Sequence, residues 1–209
     1  MQITGTLAAK LAAALLAASG IGVAGWKISS NKSEPEVVSL YLTRIGRSLA
    51  STDAEWESLK DFYSKESATH PISGISKDQI KKESIRDWCN SELSKIAKEQ
   101  IESHLLLIES WCSKPQKLSE RLSSIGKSKL DNTGETDSAT WTKYESEYKK
   151  SENQLKIKKK DSSSSTWSDF NNSEATVQIL KDWCKEHEND HFKHQKDVLF
   201  EKYVKWCSK

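Results

Sequence analysis

A zinc-ligand pattern stands near the C-terminal end of the chain. His187, Glu188 and His191 match H-E-x-x-H, in which two histidines four residues apart share one face of a helix and the glutamate acts as general base. His194 follows three residues later, so His187, His191 and His194 are the candidate metal ligands. The two spacer residues are polar, whereas catalytic helices of this kind pack into a core through apolar spacers. A zinc-dependent hydrolase is therefore an alternative hypothesis here and not the leading one.

The cysteines are the second group of residues with reactive chemistry, and each of them directly follows a tryptophan. They lie at Cys89, Cys112, Cys184 and Cys207. In an oxidising compartment four cysteines permit two disulfides with three connectivities. The natural pairs are Cys89 with Cys112 and Cys184 with Cys207, but a continuous helix would hold such partners about 35 Å apart, against the ~7 Å that a bridge allows. Pairing therefore requires helical hairpins, and the alternative is four buried thiols that pack as small hydrophobic groups.

The two halves of the chain repeat one another. The Trp-Cys pairs of each half have the same separation, since 111 − 88 = 23 and 206 − 183 = 23. Flanking landmarks recur in the same order, at offsets that grow from 80 to 85 to 95: 42–46 with 122–126, 56–63 with 141–148, and 85–89 with 180–184. This self-similarity predicts two tandem units, repeat one at 36–114 and repeat two at 116–209. The growing offset predicts insertions in repeat two, at 131–136 and 156–165.

Apolar residues follow helical spacing within each repeat. Val38, Leu42 and Ile45 recur at three and four residues, and no segment shows the alternation of a half-buried strand. We therefore predict an all-α fold of about three helices per repeat, after an apolar N-terminal helix. The polar stretch at 156–165 is expected to be a solvated linker.

The two repeats give conflicting indications about a hairpin between their cysteines. In repeat one the apolar stripe between the cysteines runs on with one slip of five residues, from Ile96 to Ile101, and is typical of one continuous helix. In repeat two the polar residues 187–196 favour a turn. The sequence alone thus leaves the state of the cysteines open.

Residues 1–26 differ in composition from the rest of the chain. They contain no acidic residue and one basic residue, Lys10, and they are rich in Ala and Gly. This composition is typical of a signal peptide or a membrane anchor, and residues 27–35 are expected to be a linker. Small residues such as Ala17 and Ala24 provide cleavage positions, so a cleaved and a retained segment both fit. The prediction places the protein at the cell membrane or outside the cell.

Charge and motif content argue against several functional classes. The chain has 32 Lys and Arg residues against 30 Asp and Glu residues, a balance that predicts no nucleic-acid partner. It has no glycine-rich phosphate loop and no G-x-S-x-G motif. Residues 92–96, which correspond in repeat one to the zinc-ligand pattern, contain no histidine. We therefore predict no catalytic residues, no cofactor and no enzymatic activity.

Four features occur together in this chain: an Ala/Gly-rich apolar N-terminus, a helical segment at 42–49, a Trp-containing segment at 53–63, and closing Trp-Cys motifs at 180–184 and 204–207. In this combination the chain resembles the uncharacterised paralogous proteins of haemotropic mycoplasmas, although it carries two units where the usual layout has one. The resemblance implies a surface-exposed, antigenically variable protein without an established activity. It also implies host-cell or antibody proteins as partners.

The leading hypothesis is thus a non-enzymatic, exported or membrane-associated interaction protein that is tethered through its N-terminal segment. The zinc-dependent hydrolase is one alternative to it. A cytosol-facing scaffold with residues 1–26 as a retained anchor is the other.

Overall fold

The structure is a computed structural model that describes residues 35–66, 70–161, 164 and 166–209. Within it, Pro35–Lys209 forms one compact unit. The predicted signal or anchor segment, 1–26, and the linker up to residue 34 lie outside the described residues. Among the residues that are described, no helix has the length and apolar character that crossing a membrane requires.

The described residues form eight α-helices, and the predicted all-α fold is confirmed. The helices are α1 (Val38–Arg44), α2 (Asp53–Glu66), α3 (Lys82–Leu93), α4 (Glu102–Cys112), α5 (Leu118–Ser124), α6 (Ser138–Tyr148), α7 (Val177–His187) and α8 (Val198–Cys207). Short 3-10 helices lie at Lys77–Gln79, Ala97–Glu99 and Asn172–Glu174.

A small β-hairpin occupies part of the stretch that was expected to be a solvated linker. Strand β1 (Lys159–Lys160) pairs antiparallel with β2 (Trp167–Ser168). The hairpin is held to the fold by Ile157, which is buried in the core of repeat two just before β1. The insertion is therefore packed structure at its base and not a free linker.

Each repeat contains four α-helices, where about three were predicted. In repeat one, the long helix expected between the cysteines is divided into two helices, α3 and α4. The break falls at the slip of five residues between Ile96 and Ile101, where α3 has ended and α4 has not begun. At this point Val38 N donates to Lys95 O and Ala97 N donates to Glu36 O, both at 2.8 Å. These bonds tie the turn to the start of the repeat, so the chain reverses and Ile101 is left 71% exposed.

Corresponding backbone bonds give repeat two the same chain path. Leu118 N donates to Asp190 O at 2.9 Å and Phe192 N donates to Gln116 O at 2.8 Å, as their counterparts do in repeat one. The turns after α1 and α5 also correspond, since Gly46 and Gly126 both adopt positive φ angles, of 78° and 73°. A glycine in this conformation ends a helix without steric strain, which explains why both repeats carry glycine there.

The tyrosine and tryptophan landmarks of the sequence hold the loop after the second helix of each repeat. The Tyr63 hydroxyl accepts from Ile72 N at 2.9 Å, and the Tyr148 hydroxyl accepts from Ile157 N at 2.8 Å. The indole nitrogens of the last helices bind the same loops: Trp111 Nε1 donates to His70 O and Trp206 Nε1 donates to Leu155 O, both at 2.7 Å. Such bonds let large aromatic groups be buried without leaving a polar atom unsatisfied.

The cysteines pair within each repeat. Cys89 and Cys112 form a disulfide with 5.4 Å between their Cα atoms, and Cys184 and Cys207 form another with 5.5 Å. The first joins α3 to α4 and the second joins α7 to α8, so both repeats contain the helical hairpin that the pairing requires. No cysteine is a free thiol.

Two hydrophobic clusters form the core, and each contains one disulfide. The members of one cluster all lie within 38–112, and those of the other all lie within 118–207. All four half-cystines are fully buried. Each disulfide therefore crosslinks the centre of a small core. Because the chain is polar, each core contains few large apolar residues, and the disulfide links its helices covalently.

Candidate functional site

The zinc-ligand pattern does not lie on one helix. Helix α7 ends at His187 and Glu188 is its C-cap, so the chain has left the helix before it reaches His191. His187 Nδ1 lies 2.6 Å from an oxygen of Asp190, while the Glu188 carboxylate binds Lys129 Nζ at 2.7 Å. The prediction that the two imidazoles share a helical face is therefore wrong. Its physical reason is that the backbone at Glu188 and Asp190 bonds to the start of repeat two and closes the hairpin.

His191 extends from repeat two into repeat one. Its ring is fully buried and stacks on Phe62, with 4.7 Å between ring centroids, and on Trp111, with 5.6 Å. Its Nε2 lies 2.9 Å from Ser110 O. Burial lowers the pKa of His191 to about 4, so the ring is neutral at physiological pH. The residue thus acts as a packed aromatic group in the contact between the repeats.

His194 makes a second contact across the repeats. Its Nε2 lies 2.9 Å from Nε2 of His70, so one imidazole donates to the other. Burial is the main cause that lowers both pKa values, that of His194 to about 4. At least one of the two rings must be neutral, because two imidazolium rings would repel each other and could only donate.

The three candidate metal ligands are thus placed in three different contacts. Across the ranges that the structure describes, no group of three or more His, Cys, Asp or Glu side chains is arranged to hold a metal ion. His187 closes the end of α7, His191 stacks on aromatic rings of repeat one, and His194 pairs with another histidine.

Phe192 also lies in the contact between the repeats, and an arginine from each repeat packs against its ring. The guanidinium carbons of Arg47 and Arg121 lie 4.6 Å and 4.8 Å from its ring centroid. These distances allow a cation–π interaction from each side chain. Phe192 is fully buried, and Arg47 and Arg121 are 4% and 5% exposed.

One buried carboxylate accompanies the two arginines. Glu109 Oε1 lies 3.5 Å from Arg47 Nε, and Gln116 Oε1 accepts from Arg47 Nη1 at 3.3 Å. Burial lowers the pKa of Arg47 to about 10 and raises the pKa of Glu109, while each group partly offsets the effect on the other. The cluster therefore buries two positive charges against one negative charge.

Sequence reasoning did not identify the two arginines. Arg47 follows the turn after α1 and Arg121 lies in α5. The offset of 80 pairs Arg47 with Lys127 and Arg121 with Tyr41, so the repeat pattern does not relate the two arginines to each other. The available signal was Phe192, a large apolar residue inside an otherwise polar stretch at the position that Ala97 occupies in repeat one.

Repeat two has a surface groove lined by its own residues. It has a volume of about 570 Å³ and an apolar floor formed by Ile125, Tyr144, Leu155, Phe200 and Val204. Lys127, Glu201 and Lys205 also line it.

The corresponding surface of repeat one is already covered by polypeptide. The repeat offsets pair Ile125 with Ile45 and Val204 with Glu109, and both of these line a cavity that Gln195 and Lys196 of repeat two complete. Lys196 also forms an ion pair with Glu102 of repeat one. The surface of repeat one thus contacts Gln195 and Lys196 of repeat two, whereas the counterpart surface of repeat two is an open groove.

Comparisons of the chain with protein-family models, curated proteins and solved structures find no match in any of the three.

Proposed function

We propose that this chain is an exported, non-enzymatic interaction protein that acts at the membrane surface or outside the cell. The observation that carries the proposal is the pairing of all four cysteines in two buried disulfides. Disulfides persist in oxidising environments and are rare in the cytosol, where thiols are kept reduced. This chemistry favours an exported protein over a cytosol-facing scaffold, and it agrees with the apolar character of residues 1–26.

The positions of the histidines support a binding role over hydrolysis. A zinc hydrolase needs two imidazoles that converge on one ion and a glutamate beside it. Here His191 faces the aromatic rings of repeat one and Glu188 binds Lys129. The residues that suggested catalysis are thus engaged in contacts that hold the fold together.

Protease treatment of intact cells tests the location. We expect an added protease that cannot enter cells to cleave the protein while a cytosolic control protein survives. N-terminal sequencing of the native protein then separates the two forms, since cleavage after the apolar segment gives a new N-terminus and a retained anchor leaves Met1. Survival of the protein under conditions that remove known surface proteins would contradict export.

We place the partner contact in the open groove of repeat two, and the occupant we propose is a short polypeptide segment with an apolar side chain. The support is internal to the molecule, because the counterpart surface of repeat one is lined by a polypeptide segment of repeat two, Gln195 and Lys196. The apolar floor suits an apolar side chain, and Lys127 and Lys205 at the groove suit a peptide that also carries a carboxylate.

A pair of variants on one helix tests the groove. Val204→Glu puts a charge on the groove floor, and Glu109 at the matching position of repeat one shows that a glutamate is compatible with this fold. Val198→Glu is the matched control, since Val198 lies on the same helix, is 57% exposed and does not line the groove. We expect a displayed library of random peptides to yield binders of the wild type and Val198→Glu that fail to bind Val204→Glu. Equal peptide binding by all three proteins would refute the groove and leave the location result untouched.

A further inference from the structure

A small polar cavity lies where the two repeats join. Its volume is about 220 Å³, and its lining comes from the turn after α1, the connection between the repeats and helix α5. The residues that matter for its chemistry are Arg47, Lys114, Gln116, Glu120 and Arg121. Both repeats and their connection thus contribute to one enclosed space.

The lining carries an excess of positive charge. Arg47, Lys114 and Arg121 are cations, and Glu120 is the one carboxylate among the lining residues. Glu120 is already engaged, because its Oε2 accepts from Lys117 N at 3.0 Å at the start of α5. Lys114 is exposed and lies 3.5 Å from a carboxylate oxygen of Glu55, so the uncompensated charge of the lining comes from the two arginines.

The two arginines have unused hydrogen-bonding capacity although they are more than nine-tenths buried. Within the described residues, Nε and Nη2 of Arg47 and Nε of Arg121 make no hydrogen bond. Glu109 lies at ion-pair distance from Arg47 but cannot neutralise both guanidinium groups. Buried donors are normally paired, and a buried cation without a full counter-charge is unfavourable. The two guanidinium groups therefore carry more positive charge than the one nearby carboxylate offsets.

We propose that this cavity binds a small oxyanion of the phosphate class, either free phosphate or a compact phosphate monoester. Guanidinium groups present planar pairs of donors that match the oxygens of phosphate, and a lysine adds charge without demanding a fixed geometry. The volume accommodates an ion of a few heavy atoms. The inference is independent of the proposed function, because it rests on a different surface and different residues.

Binding at this position would strengthen the contact between the repeats. One arginine comes from repeat one, the other comes from repeat two, and Lys114 lies between them in sequence. An anion held by all three would bridge the repeats, so the ligand is expected to stabilise the folded chain by mass action.

The test is a titration of the full chain with inorganic phosphate at constant ionic strength, with chloride as the balancing anion. We expect saturable binding by calorimetry and a rise of a few degrees in melting temperature at phosphate well above Kd. Arg121→Gln should weaken phosphate binding at least about tenfold, since it removes charged hydrogen bonds. Arg86→Gln is the control, because Arg86 is an arginine of α3 that does not line this cavity.

Additional variants and a second ligand test the phosphate site further. Without phosphate, Arg121→Gln should melt no lower than the wild type, since it removes a charge that repels Arg47. If that variant fails to fold, Lys114→Gln replaces it, because Lys114 is exposed and its loss should weaken binding about threefold. Titration with glycerol phosphate separates a monoester from free phosphate as the preferred ligand. Equal responses to phosphate and chloride, or equal phosphate binding by Arg121→Gln and Arg86→Gln, would overturn the proposal.

Discussion

Removing one disulfide from each repeat in turn is a quantitative test of the repeat architecture. In both repeats the bonded cysteines are 23 residues apart and fully buried. In the chain-entropy model a crosslink of this span restricts the unfolded chain by about 3.4 kcal/mol at 25 °C. The double variants Cys89→Ala/Cys112→Ala and Cys184→Ala/Cys207→Ala should therefore lose about the same free energy of unfolding.

Urea unfolding followed by circular dichroism measures both losses under oxidising conditions. Each double variant should lose about 3 kcal/mol, which for a chain of this size corresponds to a fall of roughly 10 °C in melting temperature. The wild type with both disulfides reduced should be less stable than either double variant.

Two outcomes would refute the reasoning. Losses that differ between the repeats by more than about 2 kcal/mol would mean that the two disulfides do not occupy equivalent positions. A loss below about 1 kcal/mol in both variants would mean that the crosslinks do not restrict the unfolded chain as their spacing predicts.

Two further predictions concern the contact between the repeats. The folded-state pKa of His191 is about 4, below its ordinary value of 6.5, so His191 stabilises the fold above pH 6.5 and loses this contribution as pH falls toward 4. His191→Phe keeps an aromatic ring between Phe62 and Trp111 but removes the titrating group. It should reduce the slope of unfolding free energy against pH in this window by about 1.4 kcal/mol per pH unit. Urea unfolding at several pH values measures the slope, and an unchanged slope would contradict the prediction. Glu109→Gln leaves Arg47 and Arg121 buried without their carboxylate and should cost roughly 3 kcal/mol, whereas the exposed Glu102→Gln should cost less than about 1 kcal/mol. Adding Arg121→Gln to Glu109→Gln should restore part of the loss in chemical denaturation, and a purely additive double variant would count against the charge cluster.

Local patterns in the sequence were sufficient to predict the all-α fold and to name the natural cysteine pairs, but not to decide whether those pairs are bonded. Helical spacing of apolar residues predicts the helices because a helix buries one face whatever it packs against. The repeated Trp-Cys spacing reflects one hairpin built twice, and the structure shows a disulfide at each. The slip of five residues between Ile96 and Ile101 is visible in the sequence, although the apolar stripe around it predicts one continuous helix. It is the turn between α3 and α4.

The contact between the repeats was not predictable in the same way. It joins residues far apart in the chain, such as Phe62 with His191 and His70 with His194. No periodicity specifies such pairs, because they depend on how two finished repeats pack. The histidines therefore resembled zinc ligands when only their spacing was known, and the structure instead places them in three separate contacts.

The tyrosine landmarks are an intermediate case. Tyr63 and Tyr148 were correctly aligned as equivalent positions of the two repeats. That each hydroxyl holds the loop that follows its helix could not be predicted, since the loops share little sequence. The repeat pattern thus identifies Tyr63 and Tyr148 as equivalent residues, and the structure shows which loop each hydroxyl binds.

A peptide map of the native protein, made without reduction after free thiols are blocked in intact cells, tests the central claim most directly. We expect one crosslinked peptide pair containing Cys89 and Cys112, a second containing Cys184 and Cys207, and no blocked thiol. Blocked thiols at these four positions, or a crosslink between the repeats, would contradict both the disulfide-stabilised fold and the exported function inferred from it.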